Sequence, residues 1–506
     1  MTAEFGGTAV VALESDPDVL NSLIRRSASA GQILDLMQDG LADMGEDLSW
    51  NPRIARSWEI SPDRTRITYR LQPWSWSDGT PLTAHDVVRT CELFLDPRVA
   101  SPRRGQYRDI VSVTALDSFT VEYIFGNPQP DPVARSFHAI LPSHLLSGLD
   151  PAEVMNWPLN RSPLSCGPFQ LERWEHGQSM SLVPNPYYTW DPPHLARLVF
   201  RVIPDPAGRV VALETGQVDM VPDLTPGDAR RLADRPDIRV VPQGGRRYYY
   251  LNWNLRRPFF ADPDTRRALS LALDRQRMID TLMLGFGEPA TGPIAPVMWN
   301  FNSKLEADPC DPQRARTLLE QAGWKDTDGD GILERDGRPF SFTMVTKLGD
   351  PVRESGAVII RENLKAVGVE VKIRVLELAT GLELLNSGDF DCYFGSFNAN
   401  LYGDPSGVVH SRATGEFNKG AYANAQVDSL LDLALSLTSR DEALVPWLQM
   451  QEVLLRDQPS AFLFYPEKLV GVSSRLQGVQ PHLLSPLNNV CDWWIATGDR
   501  KYRTEQ

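Results

Sequence analysis

Residues Ile54–Pro97 read IARSWEISPDRTRITYRLQPWSWSDGTPLTAHDVVRTCELFLDP, and the order of patterns in this stretch sets the class of fold. SWEIS and ITYRL alternate apolar with polar residues around a Pro-Asp turn, which predicts a β-hairpin. WSDGTPLTA then reads as a turn. HDVVRTCELFLDP follows at helical spacing, with Thr83 as the N-cap and Asp86 at N3. This is a capping-box variant that sets an acid at the positive end of the helix. Outward from this block the same alternation recurs. Strands are predicted at Thr8–Leu13, Arg66–Arg70, Thr120–Ile124, Ser179–Val183, Leu198–Ile203, Tyr248–Asn254, Ser341–Thr346, Val369–Val375 and Asp391–Ser396. Helical spacing marks Thr265–Leu284, Pro312–Gln321, Val352–Ala366 and Asp441–Leu455. Strands interleaved with helices point to α/β lobes rather than an all-helical or all-β fold.

A chain of 506 residues exceeds what one core holds, and its length suggests about three domains. The net charge of -14 repels phosphate backbones, so nucleic acid is not an expected partner. No run of about 18 apolar residues occurs, so no spanning helix is expected. The start, MTAEFGGTAVVAL, has neither a basic n-region nor an apolar h-region, so no secretory signal is visible. Cys91, Cys166, Cys310, Cys392 and Cys491 are widely spaced and odd in number. They form no metal, redox or disulfide framework and read as buried small hydrophobes.

Ile54–Pro97 resembles the extracellular solute-binding proteins of family 5, the oligopeptide, dipeptide and nickel-binding class. Further blocks follow in the family's order: SCGPFQLERWEHGQSMSLVPNPYY from Ser165, VVALETGQVDMVPDLTP from Val210, the stretch Tyr248–Ile294 containing PFFADPDTRRALSLALDR, ARTLLEQAGWKDTDGDGILERDGRPFSFTMVT, and DQPSAFLFYP from Asp457. The resemblance covers essentially the whole chain. It implies an α/β, type II periplasmic-binding-protein fold with two lobes and an extra inserted domain, three domains in all. Residues 1–45, 167–245 and 470–506 would form a discontinuous first lobe, 46–166 the insert, and 246–469 the second lobe. Strands near Gly244–Tyr248 and Lys468–Val472 would make the hinge.

The function so implied is that of the substrate-binding receptor of an ABC importer. It would capture an oligopeptide or peptide-like solute in an inter-lobe cleft by hinge closure and hand it to permease subunits at the membrane. The same class also serves nickel chelates, oligosaccharides and other small polar solutes, and a cytoplasmic solute sensor is a further alternative. The resemblance implies a monomer, periplasmic or at the cell surface, without cofactor.

No catalytic motif appears: G-x-S-x-G, HExxH, Walker A and a strand-linked G-x-G-x-x-G are all missing, and no enzymatic activity is expected. The seven histidines are scattered, and His138 and His144 are not at a ligand-pair spacing. Asp326, Asp328 and Asp330 open a run like a calcium loop, with Gly331 and Glu334 in step, but Gly337 holds the twelfth position where a bidentate Glu belongs. The loop is read as a structural turn, and these three aspartates remain weak calcium candidates. In Tyr248–Asn254, alternate residues would face core and cleft, and Tyr249 is taken as the cleft aromatic. The loop FGSFNANLYGDPSGVVH from Phe394 resembles the family's ligand loop, in which an aspartate before a D-P or E-P step pairs with a peptide ammonium. Here Asp404-Pro405 keeps the step while Asn398 and Asn400 stand before it, so Phe397, Asn398, Asn400 and Asp404 are the candidate ligand residues. Lys347 lies roughly where a carboxylate-binding arginine would sit. Cys166, which stands where Thr or Ser is usual, completes the set.

Overall fold

The computed structural model describes residues 5–136, 139–414 and 416–501. The chain divides into two compact units, Met1–Gln243 with Leu469–Gln506, and Gly244–Lys468.

The first unit is organised around Thr8–Leu13. All six of its residues are buried, the pattern of a strand covered on both faces. It pairs in parallel with Arg197–Val202 and with Met220, inside a seven-stranded sheet that runs Ile238–Gln243, Lys468–Ser473, Met220–Val221, Thr8–Leu13, Arg197–Val202, Ser179–Pro184, Phe169–Glu175. Ala9, Val11, Leu198 and Phe200 meet Ile33, Leu34 and Met37 of the helix Ala28–Met37 on one side of that sheet. An ion pair ties the sheet together. Asp219 is fully buried and receives Arg475 Nε at 2.6 Å, Arg475 Nη2 at 2.5 Å and the Val10 N–H at 2.8 Å.

A second core in the same unit comes from the stretch that opened the reading. Ala55–Ile60, Arg66–Leu71, Thr120–Phe125 and Ile110–Asp117 form a four-stranded sheet in that order. Ile67, Tyr69 and Leu71 alternate inward with Val121, Tyr123 and Phe125, and the helix Ala84–Leu95 lays Val87, Cys91, Leu93 and Phe94 against them. The Asp86 carboxylate accepts the Thr83 N–H at 2.7 Å and reaches on to the Ser143 N–H at 2.7 Å. The cap therefore also fastens the following chain.

The second unit holds a six-stranded sheet: Gly287–Pro289, Ser460–Pro466, Arg247–Trp253, Cys392–Asn398, Ser341–Lys347, Glu370–Leu376. Ser341–Lys347 is parallel to both of its neighbours and the other pairs are antiparallel. One face carries the core, with Leu251, Trp253, Phe342, Met344 and Phe394 packed on Phe260, Leu269, Ile279, Leu319 and Ile360. The single helix expected at Thr265–Leu284 is two, Pro263–Leu271 and Arg275–Leu282. The break has two causes. Asp274 caps the second helix through the Arg277 N–H at 2.9 Å. Arg275 turns inward to the Phe462 carbonyl at 2.7 Å and the Ser270 hydroxyl at 2.6 Å. Burial lowers its pKa to about 10. All five cysteines are free, but Cys310 is exposed, so the buried-hydrophobe reading holds for the other four only.

Asp39 supplies a pH-dependent term. It is buried beside Arg53, whose Nε lies 3.4 Å away, with Asp43 and Tyr188 also acting on the group. Burial outweighs the attraction of Arg53 and pushes the carboxyl up to about 6. A raised carboxylate pKa means that the folded state binds the proton more tightly. The contribution is therefore fully present below the ordinary carboxylate pKa of about 4 and is lost as pH rises through 6. The loss is about 3 kcal/mol. Asp39→Asn, which mimics the protonated acid, should gain on the wild type by about that amount between pH 4 and pH 7. Urea midpoints of the two proteins across this range measure it, and a constant difference would place the titration of Asp39 elsewhere.

Candidate functional site

The sheet face of the second unit that turns away from its core is aromatic. Tyr248 and Phe397 are direct partners across adjacent strands, with ring centroids 6.0 Å apart. Tyr248 also lies 5.3 Å from Tyr250 and 5.8 Å from Phe462. Phe417 leans edge-on to Phe397 at 5.7 Å and is 62% exposed. Tyr248, Phe397 and Phe417, with the loop after the Cys392–Asn398 strand, enclose a cavity of about 360 Å³, lined further by Pro293, Asn398, Asn400, Asp404 and Val408.

The loop is held by its own polar side chains. Asn400 Oδ1 accepts the N–H groups of Tyr402 at 3.1 Å and Asp404 at 3.0 Å, while its Nδ2 donates to the Asp404 carbonyl at 2.6 Å. Asp404 Oδ1 accepts the Ser406 N–H at 2.8 Å. At Gly403 the backbone takes φ +70°, and an added Cβ would come within 2.3 Å of Asn300 Oδ1. Only glycine fits there. Asn300 Nδ2 donates to the Gly403 carbonyl at 3.0 Å and anchors the loop from outside.

Phe397, Asn398, Asn400 and Asp404 thus come together around one cavity. The side chains of Asn400 and Asp404 spend much of their hydrogen-bonding capacity on the loop itself. Tyr249 does not line the cavity. It is 5% exposed and stacks on Phe464 at 4.6 Å inside the core. Strand alternation puts it on the face of Leu251 and Trp253, and its neighbour Tyr248 takes the cavity position. The apolar residues at 251 and 253 carried that signal in the sequence. Lys347 ends the Ser341–Lys347 strand half-buried, outside the cavity lining. Cys166 belongs to the first unit, fully buried, with its thiol 3.8 Å from the Asp39 carbonyl and its pKa pushed up by burial. Phe417, Tyr248 and Pro293 were not foreseen. They reach the cavity through strand register and through loops distant in sequence.

The carboxylate oxygens of Asp326, Asp328, Asp330 and Glu334 lie within 4.8 Å of one another. They are engaged as turn caps. Asp326 accepts the Gly329 and Gly331 N–H groups at 2.7 and 3.1 Å, Asp330 accepts that of Ile332 at 2.8 Å, and Glu334 accepts that of Thr327 at 2.7 Å. His138 lies outside the described residues, and His144 pairs with Asp78 at 3.0 Å. The first unit has a larger concavity of about 630 Å³ between Thr8, Gln178, Arg197 and Arg201. Arg197 is committed there to Glu172 at 2.7 and 2.8 Å. The smaller cavity joins aromatic rings to a pinned loop, the combination expected where orientation matters.

Residues 49–419 match the family model of the bacterial extracellular solute-binding proteins, family 5 Middle. The chain is similar to the oligopeptide-binding protein AppA of Bacillus subtilis, 30% identical with 97% of this chain and 92% of that protein covered. The solved structure of that AppA with a nonapeptide covers 98% of this chain and 100% of its own at a TM-score of 0.70 and 29% identity. NikZ from Campylobacter jejuni, solved in complex with Ni(L-His), is 25% identical with a TM-score of 0.71 and covers 96% of this chain and 99% of its own. HbpA2 from Haemophilus parasuis shares the fold at a TM-score of 0.84 and 20% identity, covering 97% of this chain and 100% of its own.

Proposed function

The chain belongs to the bacterial extracellular solute-binding proteins of family 5, and from that premise we propose that it is the receptor of an ABC importer for an oligopeptide or peptide-like solute. The observation that carries this reading is the likeness to an oligopeptide-binding protein along nearly the whole of both chains. The aromatic cavity of the second unit supports it, because flat rings and a pinned loop hold a solute segment at low entropic cost. The receptor binds and releases its solute unchanged. It works as a monomer outside the cytoplasmic membrane and passes the solute to permease subunits there. Among the described residues, no helix is long and apolar enough to cross a membrane itself.

Mass spectrometry of solute released by denaturing the purified protein tests the proposal, followed by calorimetry with the solute identified. Peptides of several residues, binding again one to one, are the expected result. A purified protein that carries no peptide and binds none from a mixed peptide digest would overturn it.

A further inference from the structure

Arg246 stands two residues ahead of Tyr248. It immediately precedes the Arg247–Trp253 strand, and its carbonyl accepts the Ala399 N–H at 2.9 Å, which ties this residue to the cavity loop. It is half-buried, and its Nη1 donates at 2.5 Å to the carbonyl of Ala399, a residue of the cavity wall. That bond uses one of the five guanidinium N–H donors. Among the described residues no acid offsets its charge: burial alone acts on the group and lowers its pKa. A cation so placed is under-compensated, and a carboxylate arriving with the solute would supply a charge-assisted, two-pronged bond. Asp404 turns Oδ1 to the Ser406 N–H, and the rest of the wall combines Asn398 and Asn400 with rings, prolines and Val408. Phe417 in particular leaves most of its ring uncovered beside Phe397.

We propose that the cavity takes an aromatic group of the solute and that Arg246, at its edge, pairs with a carboxylate borne next to that group. This inference rests on the receptor reading and narrows it to solutes with an aromatic-carboxylate end or an acidic-aromatic pair. The carboxylate could be a chain terminus or the side chain of a neighbouring residue, so the probes separate the two.

The full chain is titrated calorimetrically with N-acetyl-phenylalanine, its neutral amide N-acetyl-phenylalaninamide, the cationic phenylalaninamide, and N-acetyl-Asp-Phe-amide. One of the two acids should bind about tenfold more tightly than the neutral amide, and the cation most weakly. Whichever acid leads identifies the source of the carboxylate. Arg246→Gln should bring acid and amide to within about twofold of each other, and Phe417→Ala should weaken both alike and leave their ratio intact. Unchanged melting temperatures show that both variants fold. Acids no tighter than the amide, a ratio that survives Arg246→Gln, or no binding by any probe would each overturn the inference. If peptides from the mixed digest still bind in that case, the receptor reading stands and only this narrowing fails. If neither peptides nor probes bind, both fail.

Discussion

Asp219→Ala is expected to cost the protein about 3–5 kcal/mol, the scale for breaking a buried ion pair from one side. Asp219 is fully buried, and both guanidinium arms of Arg475 close on it. Removing the carboxylate strands the Arg475 charge, which is only 10% exposed at its side chain, and takes the acceptor from the Val10 N–H at the centre of the sheet. The Val10 N–H would then lack its acceptor, and Arg475 would lack its counter-charge while keeping only the Thr8 and Asp499 carbonyls at 3.0 and 3.4 Å. A loss of this size is a large part of a typical domain stability of about 5–15 kcal/mol. The midpoint of urea unfolding should fall accordingly, and Asp219→Asn should lose nearly as much because the stranded cation remains. Replacing both partners, Asp219→Leu with Arg475→Met, should recover part of the loss, since no charge is then left buried. A single variant that loses less than about 1 kcal/mol would show that water reaches Arg475 and that the pair is not the clasp of this sheet.

Trp253→Ala should have a similar effect on the second unit, again about 3–5 kcal/mol. The ring is wholly buried, stacked on Phe260 at 5.0 Å and edge-on to Phe342 at 6.4 Å. The main chain around it is equally tight, for a Cβ on Gly420 would come within 2.4 Å of the Trp253 carbonyl. Little can collapse into the space vacated, so the cavity term adds to the lost transfer energy. Trp253→Phe keeps a ring in place and should cost distinctly less. Thermal and urea unfolding of both variants check the order. Equal losses for Ala and Phe would mean that the indole ring is not what fills this core.

These two sites also mark how far local pattern reaches. The strand Thr8–Leu13 and the helix Pro312–Gln321 have the bounds their patterns predicted, and Asp86 reaches back to Thr83 as the capping spacing required. In each case the decisive interaction lies within one turn or one strand, so composition and period suffice. The division of Thr265–Leu284 into two helices was not legible, because the helical pattern runs on through Ala272-Leu273-Asp274. Beside the Asp274 cap, Arg275 takes carbonyl and hydroxyl partners that include Phe462, nearly two hundred residues away.

The candidate site divides along the same line. By itself the sequence determined that Phe397, Asn398, Asn400 and Asp404 would share one loop region, since they are neighbours in the chain. Which tyrosine faces the cavity depends on the parity of a strand. Alternation sets Tyr249 on the core side with Leu251 and Trp253 and Tyr248 on the cavity side. Tertiary structure alone decided that Phe417 and Pro293 line the same cavity and that Arg246 bonds to Ala399 in its wall. It also decided that Lys347 and Cys166 do not line it. The physical reason is that a strand or helix is specified by contacts a few residues apart, whereas a cavity wall is specified by cross-strand register and by loops anchored on distant partners. Asn300 holding Gly403 from about a hundred positions away is such an anchor.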